Sequence, residues 1–101
     1  MAVITRTRNC LKNFKRDFKK GLFSQEDGKV LKVWAKEMEL YGPKYIEDSS
    51  EWRDHPLYGE WFGYRASCFS IEGRIIYQII DENTVEVCEV ERITPKHDYK
   101  K

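Results

Sequence analysis

The spacing of apolar residues predicts two helices in the first 42 residues. After Thr7, large apolar side chains recur three or four positions apart, as on one face of a helix, at Leu11, Phe14, Phe18 and Leu22. Gly21 marks the end of this helix. A second stripe at the same spacing consists of Val30, Trp34, Met38 and Tyr41.

Capping and breaking residues bound the second helix. Ser24 followed by Asp27 is typical of a helix N-terminus, and the pair Gly42-Pro43 ends it. We therefore expect an antiparallel helical hairpin with its aromatic faces turned toward a sheet.

Strand-like patterns occupy the rest of the chain. Ala2–Thr5 is a short apolar strand, and Lys44–Tyr58 is polar and forms a loop or a loose helical turn. Three β-rich segments follow, at Trp61–Ser70, Arg74–Ile80 and Thr84–Ile93. Short turns at Ile71-Glu72-Gly73 and Asp81-Glu82-Asn83 join them into an antiparallel meander. The order β-α-α-β-β-β predicts an α+β fold in a single domain of residues 1–101, with the hairpin packed on a small antiparallel sheet.

Charge is unevenly distributed along the chain. Residues 1–36 hold ten Lys or Arg against three Asp or Glu, a formal +7, whereas residues 37–101 hold eight against fourteen, or −6. The polar face of the first helix carries Lys12, Lys15, Arg16, Lys19 and Lys20. This distribution favours a basic face for a polyanion or an acidic partner segment, and a solvated helix face is the plain alternative.

Several classes of protein are disfavoured by what the sequence does not contain. No apolar run approaches the roughly 20 residues that span a bilayer, and the first residues do not resemble a signal peptide. Cys10, Cys68 and Cys88 are odd in number and far apart, which fits reduced thiols, packed as small core residues, in a cytoplasmic protein. No zinc or nucleotide-binding motif is present, so we expect neither a metal nor a cofactor.

The remaining polar residues suit RNA cleavage, which needs a base for the 2′-OH, an acid for the leaving 5′-oxygen and cations for the phosphate. Arg74 begins a strand directly after a tight turn, and Arg65 and Arg92 lie on the neighbouring strands. For each arginine, the alternative is a cross-strand ion pair with a glutamate. The candidates for proton transfer are His55, Glu72, His97 and Tyr99. His97 alternatively belongs to a frayed tail, and His55 to a hydrogen-bonded turn.

The order of elements, with DHPLYGEWFGYR and GRIIYQIIDENTVEV, resembles the RelE/ParE superfamily of toxin–antitoxin toxins. The first segment is most similar to the YafQ branch, and the second to the RelE and YoeB branches. The resemblance covers the whole chain in architecture and is specific across residues 54–99.

The resemblance implies a cytoplasmic toxin that cuts mRNA in the ribosomal A site. Arg74 matches a phosphate-contacting arginine and Tyr99 a C-terminal aromatic residue that stacks on a base. His97, His55 and Glu72 match acid–base positions, while Cys68 stands where the YafQ branch has a histidine. Arg65 and Arg92 would bind substrate, and the five basic residues of the first helix would contact rRNA. The implied partners are the ribosome, mRNA and an antitoxin, which would form a hetero-oligomer with the toxin. The alternative is a gyrase inhibitor or a binding module that has lost catalysis.

Overall fold

The computed structural model describes residues 2–82, 85–97 and 99. The helices are α1 (Arg8–Lys19), α2 (Gln25–Tyr41) and α3 (Pro43–Asp48), and a 3-10 turn spans Gly59–Trp61. The strands are β1 (Ala2–Arg6), β2 (His55–Pro56), β3 (Arg65–Cys68), β4 (Arg74–Glu82) and β5 (Val85–Thr94).

The described strands form one sheet in the order β1-β5-β4-β3-β2. Strands β3, β4 and β5 form the predicted antiparallel meander, and β2 adds to it at one edge. At the other edge β1 pairs with β5 in parallel, so the sheet is mixed rather than wholly antiparallel. The α+β fold is confirmed. The predicted turn at Asp81-Glu82-Asn83 is shifted, because β4 continues to Glu82; residues 83 and 84 lie outside the described part.

The helix ends agree with the capping signals in the sequence. Ser24 Oγ accepts from Asp27 N at 3.0 Å while Asp27 Oδ2 accepts from Ser24 N at 2.9 Å, a reciprocal capping box. Gly42 follows α2 with φ of +86°, a left-handed conformation that suits glycine, and Pro43 then begins α3. These contacts fix where α2 begins and ends.

The main core lies between the helices and one face of the sheet. Trp34 and Met38 of α2 pack against Ile75 and Tyr77 of β4, and all four are buried. The residues of the predicted loop Lys44–Tyr58 contribute α3, β2 and the buried Trp52.

The apolar stripe of α1 is less buried than its periodicity predicts. Leu11 is 40% exposed, Phe18 63% and Leu22 42%. Helix α1 packs mainly on β5 and leaves a groove of about 660 Å³ between itself and α2. We call this the α1–α2 groove; its lining includes Ile4, Phe14, Phe18, Leu31 and Ala35. Within the described residues, no helix has the length and apolar character needed to cross a membrane.

Candidate functional site

The sheet face turned away from the helices carries the polar residues of interest, and we call it the open face. Along β4, Ile75 and Tyr77 point to the main core, so Arg74, Ile76 and Gln78 point the other way. Across the sheet, Arg74 pairs with Cys68 on β3 and Thr94 on β5. Arg74, the first residue of β4, therefore lies at one end of the open face.

A β-bulge brings a second arginine to the open face. Tyr77 pairs with Val90 and Ile76 pairs with Arg92, so Glu91 is an extra residue in β5. Strict alternation from the buried Val90 would turn Arg92 toward the helices. The extra residue reverses this, and Arg92 lies on the same face as Arg74.

Aromatic side chains form a small second core on the open face. Trp61 and Ile76 are buried there, with Tyr64 and Tyr99 packed against them. The Arg92 Cζ atom lies 5.8 Å from the centre of the Trp61 ring, within the range of a cation–π contact. The Tyr99 ring lies 6.1 Å from Trp61, centre to centre, in an edge-on arrangement. The arginines are thus bordered by aromatic rings.

The turn before β4 holds the Arg74 guanidinium in place. Arg74 Nη1 donates to the carbonyl oxygens of Gly73 at 2.9 Å and Ile71 at 3.2 Å. By contrast, Arg74 Nε and Arg92 Nε are buried and have no hydrogen-bond partner within the described residues. Leaving a buried donor unpaired costs about 1–3 kcal/mol. Two guanidinium charges on one face of the sheet would also attract an anion, since charge-assisted hydrogen bonds are the stronger ones.

Tyr99 lies near Arg74, and His97 lies beside Tyr99. Burial raises the pKa of the Tyr99 hydroxyl, and the Arg74 guanidinium opposes this rise. The exposed His97 ring lies 5.9 Å from the Tyr99 ring, centre to centre. A protonated hydroxyl and an imidazole therefore stand together beside Arg74.

The other proton-transfer candidates are exposed and lie further out. Glu72 belongs to the turn that precedes Arg74. His55 pairs with Ala66 at the β2 edge of the sheet, and its Nδ1 is 2.9 Å from the Arg53 carbonyl oxygen. That contact matches the alternative reading of His55 as part of a hydrogen-bonded turn.

Arg65 lies on the helix side of the sheet, apart from Arg74 and Arg92. Its Nε donates to Asp54 Oδ1 at 2.6 Å, and Asp54 Oδ2 accepts from Ser67 Oγ and Tyr77 OH, each at 2.6 Å. Burial lowers the pKa of Arg65, but the hydrogen bond and charge of Asp54 outweigh it and raise the pKa overall. Arg65 is thus a structural partner of Asp54, a role that its position in the sequence did not indicate.

The basic residues of α1 are exposed on the opposite side of the sheet from the open face. Lys12, Lys15, Lys19 and Lys20 face solvent, and Arg16 Nε pairs with Asp17 Oδ1 at 3.1 Å. The structure does not bring them together with Arg74.

The sequence reasoning missed Trp61, Tyr64, Gln78 and Glu89 as parts of the site. Trp61 and Tyr64 stand in the DHPLYGEWFGYR segment, whose aromatic content was the available signal. Alternation along the strand puts Gln78 on the same face as Arg74, but its pairing with Glu89 depends on the strand register.

This chain is similar in fold to several solved structures, although its sequence identity to them is low. No family model and no curated protein matches the chain. YafQ from Escherichia coli BL21(DE3) superposes with a TM-score of 0.69 at 22% identity, covering 92% of this chain and 91% of that one. A toxin from Helicobacter pylori gives 0.70 at 18% identity, with 96% of each chain covered. A YoeB–YefM complex from Staphylococcus aureus gives 0.64 at 16% identity, covering 98% and 99%.

These likenesses define the class of fold. The chain shares the α+β fold of the YafQ and YoeB structures, as the order of its elements predicted. Superpositions at such low sequence identity establish the fold alone. The function has to be argued from the open face itself.

Proposed function

We propose that the protein is the toxin of a toxin–antitoxin pair and acts as a ribosome-dependent mRNA endoribonuclease. The observation that carries the proposal is the pair of arginines, Arg74 and Arg92, that the strand register brings to one face beside aromatic rings. Arginine binds two oxygens of a phosphate through its planar fork, and the neighbouring aromatic rings suit unstacked bases.

The reaction is an attack by the RNA on itself. A base removes the proton from a 2′-OH, the 2′-oxygen bonds to the adjacent phosphorus, and the 5′-oxygen leaves with a proton from an acid. The products are a 2′,3′-cyclic phosphate and a 5′-OH end. Arg74 and Arg92 would stabilise the charge that develops on the phosphate oxygens.

Two residues near Arg74 are placed to move protons. Since the Tyr99 pKa is raised, its hydroxyl keeps its proton at neutral pH and would donate a hydrogen bond or stack on a base. His97, exposed and beside Tyr99, would serve as acid or base, because an imidazole ring can both donate and accept a proton. Glu72 or His55 would supply the second proton-transfer group, and the basic residues of α1 would contact rRNA phosphates.

The α1–α2 groove is the proposed binding site of an antitoxin. The solved neighbours include DinJ–YafQ and YoeB–YefM complexes. The groove is mainly apolar, and its charged lining residues are Arg6, Lys32 and Glu39, with a net positive charge. An apolar segment with acidic flanks would fit these features, giving a cytoplasmic hetero-oligomer.

Programmed ribosomes provide the test. Ribosomes carrying a defined mRNA with an empty A site are incubated with the purified protein, and primer extension maps the cuts. We expect cleavage within the A-site codon. A single 2′-deoxy substitution at the attacking nucleotide should abolish that cut, because it removes the nucleophile.

Intact mRNA on programmed ribosomes would contradict the proposal. A supercoiling assay with DNA gyrase, run in parallel, then separates the alternatives. Inhibited supercoiling would support a gyrase inhibitor, and unaffected supercoiling a binding module without catalysis.

A further inference from the structure

The open face contains one hydrogen-bonded pair of polar residues that phosphate binding does not explain. Gln78 of β4 and Glu89 of β5 stand opposite each other, and both are half-buried. Gln78 Nε2 donates to Glu89 Oε1 at 3.2 Å and to Tyr64 OH at 3.4 Å. The pair is therefore fixed between two strands and an aromatic side chain.

The negative charge of Glu89 is unexpected on a surface that binds a polyanion. The neighbouring glutamates of β5 point elsewhere: Glu86 has the register of the helix side, and Glu91 accepts from Thr7 Oγ1 at 3.0 Å. Of these three glutamates, only Glu89 faces the same side as Arg92. A carboxylate repels phosphate, so this position suits a neutral group that donates hydrogen bonds.

The hydrogen bonds of Gln78 determine what the pair offers to a ligand. Its amide nitrogen has two N–H bonds, and both are directed at the partners named above. The remaining polar atoms of the pair, Gln78 Oε1 and Glu89 Oε2, are hydrogen-bond acceptors that can face a ligand. Two adjacent acceptors match the N1–H and N2–H donors of guanine, and no other RNA base has two neighbouring donors on its Watson–Crick edge.

The spacing along the strands suits one nucleotide. Gln78 lies two positions from Ile76, the partner of Arg92, which is about 7 Å along a strand. A phosphate on Arg92 would leave its base within reach of the Gln78–Glu89 pair. Single-stranded RNA is commonly read in this way, by hydrogen bonds to the edge of an unstacked base.

We infer that Gln78 and Glu89 form a base-reading pair that selects guanine in the RNA bound to the open face. The inference rests on the proposed function and deepens it, since it names the base that the site prefers.

The test uses programmed ribosomes whose A-site codons differ in one base. Each codon position is set in turn to guanine, adenine, cytosine or uracil, and the single-turnover cleavage rate is measured. We expect guanine at one position to raise the rate about tenfold over the other bases. Inosine, which keeps N1–H but lacks the N2 amine, should lose most of this advantage at that position.

Two variants separate base reading from general effects. Glu89→Gln replaces an acceptor with a donor and should lower the rate at the guanine codon to the rate at the other codons. Glu86→Gln makes the same charge change on the same strand but on the other side of the sheet, and it should keep the preference.

Equal rates for all four bases, or a preference for another base, would overturn the inference while leaving the proposed function intact. A guanine preference that survives both Glu89→Gln and inosine would overturn it too. If Glu89→Gln does not fold, the inosine comparison decides alone, because it needs only the unaltered protein. Absence of cleavage at every codon would refute the proposed function, and the base-reading pair with it.

Discussion

The Asp54 carboxylate is buried and accepts three hydrogen bonds from side chains. Replacing it tests how the DHPL segment is held in the fold. Its side chain is fully buried, whereas that of Arg65 is 26% exposed. One carboxylate oxygen accepts from Arg65, and the other accepts from both Ser67 and Tyr77. The network joins the loop before β2 to β3 and β4.

The change Asp54→Asn keeps the size of the side chain and removes its charge. The new NH₂ group would either face the Arg65 donor or deprive Ser67 and Tyr77 of their shared acceptor. Hydrogen bonds to a charged group are worth about 1.5–3 kcal/mol each. Because the amide keeps one acceptor and water reaches Arg65, we expect a loss of about 3 kcal/mol rather than the full sum.

Urea unfolding followed by far-UV circular dichroism measures this loss as a lower midpoint with an unchanged slope. The melting temperature should fall by roughly 12–24 °C, at about 4–8 °C per kcal/mol for a domain of this size. Asp48→Asn is the matched control, since Asp48 makes an exposed pair with Lys44 at 3.2 Å and should change stability by less than about 0.5 kcal/mol. A variant at Asp54 that is as stable as the Asp48 control would refute the reasoning.

Two further predictions concern pH and a close contact. Burial, with a smaller contribution from the Asp54 charge, raises the pKa of the Cys88 thiol from 9.0 to about 12. The thiol ionises above pH 9 in the unfolded chain and stays protonated in the folded one. Its contribution to the free energy of unfolding should therefore be fully present below pH 9. Above pH 9, the contribution of Cys88 to stability should fall by about 1.4 kcal/mol per pH unit until pH 12, in addition to any loss from other groups. Urea titrations at pH 8 and 10 measure this loss, and an equal loss in Cys88→Ala would count against it. A Cβ at Gly73 would lie 2.6 Å from Ser70 Oγ and 2.7 Å from Phe69 Cε1. Gly73→Ala should therefore cost about 1–3 kcal/mol in the same unfolding assay, and unchanged stability would show that the turn has room to adjust.

Local signals in the sequence were sufficient for α1, α2 and the meander. Ser24, Asp27 and Gly42 act within a few residues of themselves, so their effects can be read from the chain alone. The β-branched run before Asp81 likewise indicates a strand by itself.

Long-range pairing could not be predicted in this way. Nothing near Ala2–Arg6 indicates that β1 joins the sheet beside the last strand in parallel. The side on which Arg92 lies depends on one extra residue in β5, Glu91, which is a property of the pairing with β4.

The site was accordingly predicted in part. Arg74 and Tyr99 lie together on the open face, with His97 beside Tyr99. Arg65 looks equivalent to Arg92 in the sequence, since each is an arginine in a strand next to β4. Their environments differ because Asp54, eleven positions before Arg65, is buried beneath it and needs a cation.

The most direct test of the proposed function is the cleavage rate of Arg74→Ala on programmed ribosomes under single-turnover conditions. Lys36→Ala is the control, because Lys36 is an exposed cation on α2, away from the open face. If Arg74 stabilises the charge on the phosphate, its loss should slow cleavage by at least about 100-fold, with an unchanged circular dichroism spectrum, while Lys36→Ala cleaves at the normal rate. Cleavage by Arg74→Ala at the rate of the unaltered protein would contradict the account.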